Sequence, residues 1–327
     1  MEENPSKTAP RQRKNTGTPV KTSRIVGRLV ESSATIAMDK ATIEDAIFQH
    51  SVLCQTFLPY RNPGEDVRIW QQKQGNVTLA VQAINSLNPQ NNEFEFFGLP
   101  YGAKARLIMA HLNSEAVKTQ QPLIDVEKTM TGFIKKIGLN TDGRTVREVK
   151  EQLARLSSSL ISMGYSDGER GMQVNVMIAK AFDIWFPKND NQRVIWQSQI
   201  QLTDDYFTSL VKHAIPLDIR ALAALSHNAM ALDIYVWLAQ RLHRVPQGKP
   251  QFISWLQTKE QFGQGYDRMD NFKQVFRRTL SSVLTQYRSA KIDEDMNKGF
   301  NLYHSPSPIP PKSQLQISTG ENGLLKF

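Results

Sequence analysis

Cysteine is nearly missing: Cys54 is the only one in 327 residues, so no intramolecular disulfide can form and no cysteine cluster can hold zinc. Such a chain suits a reducing cytoplasm. The six histidines, His50, His111, His213, His227, His243 and His304, show neither HxH nor HExxH spacing, which removes the familiar metal sites of nucleases and proteases. No GxxxxGK[ST] stretch exists, so ATP hydrolysis through a P-loop has no support; Gly164, Gly168 and Gly171 lack the accompanying lysine and read as a loop. No run of about 18 apolar residues occurs, and the opening MEENPSKTAPRQRKN lacks the apolar core of a signal peptide, so a soluble protein without membrane attachment is expected. The acidic triplet Asp293, Glu294 and Asp295 reads as solvated turn carboxylates. Catalysis, a bound metal and a cofactor are therefore all absent from the expectation.

What is present in excess is positive charge. Forty Lys and Arg against 31 Asp and Glu give a formal net charge of +9, which makes a polyanion, nucleic acid first, the natural partner. A hydrophobic fraction of 40% supplies core for two ordinary domains. Residues 1–35 read as a disordered basic arm in which Arg11, Arg13 and Lys14 either drape over phosphates or only solubilise. Residues 36–96 read as a small element of one helix and a hairpin. Ala41 to Phe57 has a helical apolar period, and residues 67–84 alternate around Gly75-Asn76. Its function is not legible. At the other end, the prolines of HSPSPIPPK stop the fold and leave residues 312–327 as a flexible tail.

From Pro100 the pattern changes. ARLIMAHLNSEAVKT and DVEKTMTGFIKKIGL read as helices, followed by TDGRTVREVKEQLARLSSSLISMGY at residues 141–165 as a third. Residues 172–186 and 192–202 then look like two strands around the polar turn 187–191. Three helices and a hairpin are the winged-helix order. The order repeats with a long helix at 216–242, a second at QFISWLQTKEQFG, a third at 269–287 and a short hairpin from Lys291 to Tyr303. LSSSL at 156–160 is echoed by LSSVL at 280–284. The expected fold is α+β, with tandem winged-helix domains at 97–212 and 213–311.

The third helix of each unit is the candidate groove reader. In the first, Val146, Val149, Leu153, Leu156 and Leu160 form the inner stripe, leaving Arg144, Arg147, Lys150, Arg155 and Ser158 outward. Glu148 and Glu151 share that face, so it equally fits a solvated helix laced by i,i+4 pairs. In the second, Lys273, Gln274, Arg277, Arg278, Ser281 and Thr285 occupy the outer arc without a carboxylate, and Asp270 would start the helix. Arg and Gln are the side chains that pair bidentately with guanine and adenine edges. Lys188 and Arg193 beside the first hairpin turn, and Lys298 at the second, are the candidate phosphate contacts of the wings.

From about Phe97 to Pro311 the chain resembles the plasmid-encoded replication initiators of the RepA C-terminal family. The pieces that carry the resemblance are Leu99-Pro100-Tyr101-Gly102 with Arg106-Leu107, Glu115 to Thr119, Ile215 to Asp218, Met230 to Arg241, Ile253-Ser254-Trp255 and Gln261-Phe262-Gly263. The resemblance implies a bacterial cytoplasmic protein that binds repeats in double-stranded plasmid origin DNA and helps open them for a host initiator and helicase. It also implies a homodimer that exchanges with a monomer. A winged-helix transcriptional repressor without an initiation role stays open as an alternative, as does a protein-interaction adaptor whose charge is incidental.

Overall fold

The computed structural model describes residues 24–39, 41–88, 91–125, 129–166, 168–177, 199–296 and 298–310. Its centre is two helices. Helix α2 (Gly102–Thr119) buries Ala105 through Ser114 and Ala116, and α7 (Ala229–Arg241) buries Met230 through Gln240. A helix with apolar groups on every side must be enclosed, and each of these begins one half of the molecule. After α2 come strand β6 (Leu123–Asp125), α3 (Met130–Lys136), α4 (Gly143–Ser157), β7 (Ser159–Ser166) and β8 (Gly171–Met177). After α7 come β11 (Gln251–Ser254), α8 (Trp255–Phe262), α9 (Met269–Gln286), β12 (Ile292–Asp295) and β13 (Gly299–Leu302). The order helix, strand, two helices, two strands therefore occurs twice.

The two halves differ in where the first strand goes. In the second, β11 joins the hairpin in the order β11-β13-β12, whereas in the first β6 pairs with β9 (Gln199–Gln201) instead. Gly299 permits the β11–β13 approach: a Cβ there would collide with the carbonyl oxygen of Ile253, so only glycine fits this register. Local chemistry fixes the helix starts. The Asp142 carboxylate accepts from the Thr145 amide at 2.9 Å, Asn228 accepts from Ala231 at 3.2 Å, and Ser254 and Gln257 form a reciprocal capping box.

The residues before Pro100 are built into both halves. The hairpin of β2 (Ile69–Gln74) and β3 (Val77–Ala83) turns at Gly75-Asn76 as its sequence predicts, and β3 then pairs with β7 to make a four-stranded sheet, β2-β3-β7-β8. Strand β1 (Ala46–His50) pairs antiparallel with β10 (Ala214–Asp218), at the entrance to the second half. Strands β4 (Asn85–Asn88) and β5 (Glu93–Phe96) form a separate hairpin, and α5 (Asp204–His213) links β9 to β10. A buried bidentate pair, Arg106 with Asp233 at 2.6 and 2.8 Å, joins α2 to α7.

Several sequence expectations need correction. The apolar period of Ala41–Phe57 forms β1 and a short 3-10 turn (Val52–Cys54), because pairing with β10 outweighs helical spacing. The expected helix 216–242 is β10, α6 (Ile219–Leu225) and α7, broken where Asn228 caps the new helix. Part of the expected arm is helix α1 (Arg24–Met38): Leu29, Ser33 and Ile36 lie on one side of it and pack on α6 and α9. The third helix of the first unit stops at Ser157 and SLISMGYS is β7, so Leu160 belongs to a sheet and the LSS echo falls on non-equivalent elements. Among the described residues β8 pairs with β7, and Gln199–Gln201 of the expected second strand pairs with β6; residues 178–198, which hold the rest of the expected hairpin and its turn 187–191, lie outside the described residues. QFIS is a strand ahead of α8.

Candidate nucleic-acid interface

Helix α9 carries the larger part of the candidate surface. Phe272, Phe276, Leu280 and Val283 are buried along one side, and at the next angular position Lys273 and Arg277 are half-buried. Both cations sit over the Trp255 indole, the ammonium 5.1 Å and the guanidinium 5.0 Å from a ring centroid. Arg277 is also tied to the hairpin: its Nε and Nη2 donate to one Glu294 carboxylate oxygen at 2.8 and 2.7 Å. Arg277 is thus a strut between helix and hairpin. Gln274, Arg278, Ser281 and Thr285 are exposed and recur at i, i+4, i+7 and i+11, one straight polar stripe along the helix. Arg278 makes no ion pair among the described residues.

The ends of this stripe are defined. Arg268, not Asp270, occupies the N-cap position; Asp270 lies in the first turn, and its carboxylate is held down to about 2 by hydrogen bonds from Arg268 and the Asn271 amide. At the far end α1 abuts the helix, with Ser33 Oγ donating to the Thr285 carbonyl at 2.6 Å and Gln286 Nε2 donating to the Leu29 carbonyl at 2.8 Å. On the hairpin, Lys298 is 76% exposed and 3.9 Å from Asp295. Two of the three carboxylates of the acidic triplet therefore face cations, which sequence alone did not foretell.

Helix α4 yields less. Arg144 is exposed but bonded to Glu148 at 2.8 Å, and Lys104 of α2 meets the same carboxylate at 2.8 Å. These two cations, Lys104 first, hold the Glu148 carboxyl below the usual range. Arg155 is buried: its Nε donates to Glu151 at 3.0 Å, its Nη1 donates to the Leu99 carbonyl at 3.2 Å, and its guanidinium lies 5.1 Å from the Tyr101 ring centroid. Gly98 is part of this arrangement, since a Cβ there would strike the guanidinium. Ser158, past the helix end, is fully buried. Arg155 and Ser158 are thus corrected from outward readers to interior groups, because the helix turns its last residues into the core. Arg147 and Lys150 remain at the surface and form no ion pair among the described residues. They border a 370 Å³ groove with Phe97 and Ala154. Lys188 and Arg193 lie outside the described residues.

No helix among the described residues is long and apolar enough to cross a membrane. Comparison with solved structures finds two crystal structures of domains 2 and 3 of RctB. Each is 8% identical to this chain and covers 77% of it, with 95% and 94% of the RctB chains aligned at TM-scores of 0.45 and 0.44. No curated protein matches the sequence. The family model described as "Plasmid encoded RepA protein" matches residues 99–257, from Leu99 beside the Arg155 guanidinium through the buried helices α2 and α7 to the start of α8. Over that region, which is just under half of its length, the chain is similar to the family of plasmid encoded RepA proteins.

Proposed function

We propose that this protein is a sequence-specific binder of double-stranded DNA that initiates replication of its plasmid, each of its two helix-and-hairpin units acting as a winged helix. The observation that carries the reading is the stripe Gln274, Arg278, Ser281 and Thr285 on α9. It is exposed and free of carboxylates, and it sits on the third helix of the unit beside a hairpin. Such a stripe offers hydrogen-bond donors to base edges, and Lys298 on the adjacent hairpin and Arg147 and Lys150 on α4 offer charge to phosphates. The family of residues 99–257 and the net charge of +9 support the same reading. Recruitment of host replication proteins and a homodimer form part of the proposal through the family. Nuclease footprinting of the purified protein on tiled fragments of its own plasmid tests it. Protected repeats in the replication region are expected, and uniform cleavage at every protein concentration would sink it.

A further inference from the structure

The loop from Pro59 to Gly64 belongs to the segment before Pro100, yet it faces α9 across a cleft of about 750 Å³. Arg61 and Asn62 of the loop line it together with Asn271 and Arg278 of α9, Trp70 and Tyr266, and among the described residues no carboxylate lines it. Glu65 and Asp66 follow in the chain but stay outside the cleft. The chain entering the loop is anchored. Trp70 Nε1 donates to the Phe57 carbonyl at 2.9 Å, the Tyr60 amide donates to Gln264 Oε1 at 3.2 Å, and Arg106 Nη2 donates to the Leu58 carbonyl at 2.6 Å. Gln72 and Gln261 fasten the same region to α8, through Gln72 Nε2 to the Gln261 carbonyl at 2.7 Å and Gln261 Nε2 to the Gln55 carbonyl at 2.9 Å. Arg61 itself is exposed and makes no ion pair among the described residues. An exposed guanidinium on a loop whose entry is anchored, lining one cleft with a second guanidinium, is a place where an anion can bind with little backbone left to order.

We propose that this cleft receives the sugar-phosphate backbone of the DNA strand that runs off α9, with Arg61 and Arg278 on its phosphates and Tyr266 and Trp70 against its sugars. The inference rests on the DNA-binding reading above and adds to it a role for the loop from Pro59 to Gly64. Arg278 then serves both the groove-facing stripe and the cleft. Because phosphates carry no sequence information, Arg61 adds affinity to every duplex alike.

The test is fluorescence anisotropy of the full chain with labelled duplexes tiled across the plasmid's replication region, titrated over a range of salt. Arg61→Ala is expected to weaken binding to all duplexes about fivefold to tenfold and to lower the logarithmic salt slope by about 0.9, the counterion equivalent of one phosphate. Arg61→Lys is expected to restore most of that slope, which a merely structural defect would not allow. Wild-type affinity and slope in Arg61→Ala overturn this inference and leave the parent reading standing. Absence of salt-dependent binding by the wild-type chain overturns both.

Discussion

Single side chains divide into those that face solvent and those the fold has claimed. Arg278→Ala removes an exposed cation with no ion pair among the described residues and should cost about 1–3 kcal/mol of binding to a protected repeat, part of it on every duplex through the lost phosphate contact and part as relaxed preference at the base it reads. Anisotropy on base-substituted repeats checks this, and uniform weakening across sequences would reassign Arg278 to the backbone. Arg155→Ala should behave oppositely. It breaks a buried network with Glu151 and Leu99 and should lower unfolding stability by about 1–3 kcal/mol, with the protected sites unchanged wherever the protein stays folded. His50 supplies a pH dependence. The Val52 amide donates to its Nδ1 at 3.1 Å and Ser209 lies 3.0 Å from its Nε2, an arrangement that needs the neutral ring. Burial, then the neighbouring His213, lowers its pKa from 6.5 to about 4. A depressed folded pKa means stability present above the unfolded value and lost as pH falls from about 6.5 towards about 4, up to about 3 kcal/mol. Urea melts across that window should show the loss, and His50→Gln should flatten it.

Elements are positioned by contacts between them. The β12–β13 hairpin packs on α9 through Phe300 against Phe276, and Arg277 with Glu294 ties the two together beside that contact, at a place where turn carboxylates are ordinarily solvated. Glu294→Gln leaves the shape of the side chain and releases Arg277 for phosphate. The expected outcome is tighter binding to unrelated duplex, a salt slope steeper by about 0.9, and a smaller ratio of specific to non-specific affinity. An unchanged slope would show that the Trp255 ring alone keeps Arg277 in place. Helix α1 illustrates the same dependence: a segment read as part of a basic arm becomes a helix because Leu29, Ser33 and Ile36 find α6 and α9 to pack on.

At the scale of the whole molecule, the Arg106–Asp233 pair joins the two halves and also fixes the loop at Leu58 and Pro59. Burial raises the Asp233 carboxyl to about 6 against the pull of Arg106, so above neutral pH both partners are charged. Removing one partner strands a charge in the interior, whereas replacing both does not. Arg106→Met or Asp233→Leu alone should cost about 3–5 kcal/mol in urea unfolding, and the double substitution should recover much of the loss. If the double variant is as unstable as the sum of the singles, the pair contributes through its carbonyl contacts instead.

The sequence by itself determined the hairpin at Gly75-Asn76, the hairpin from Lys291 to Tyr303, the helix at 269–286 and the exposed polar stripe of Gln274, Arg278, Ser281 and Thr285 on it. These are local: helical period, turn residues and charge placement act within a few residues of one another. What it could not determine is which groups meet across the chain. Ala41–Phe57 has a helical period but becomes a strand because β10, more than 150 positions away, offers backbone partners. Arg155 has the spacing of a surface residue but turns inward to the Leu99 carbonyl. Glu294 resembles any turn carboxylate until Arg277 reaches it, and Arg61 comes to line one cleft with Arg278 only when the chain at Leu58 is bonded to Arg106 of α2. Pairing and burial are properties of contacts between distant segments, so tertiary structure alone decided which of the protein's many cations are free to meet an anion.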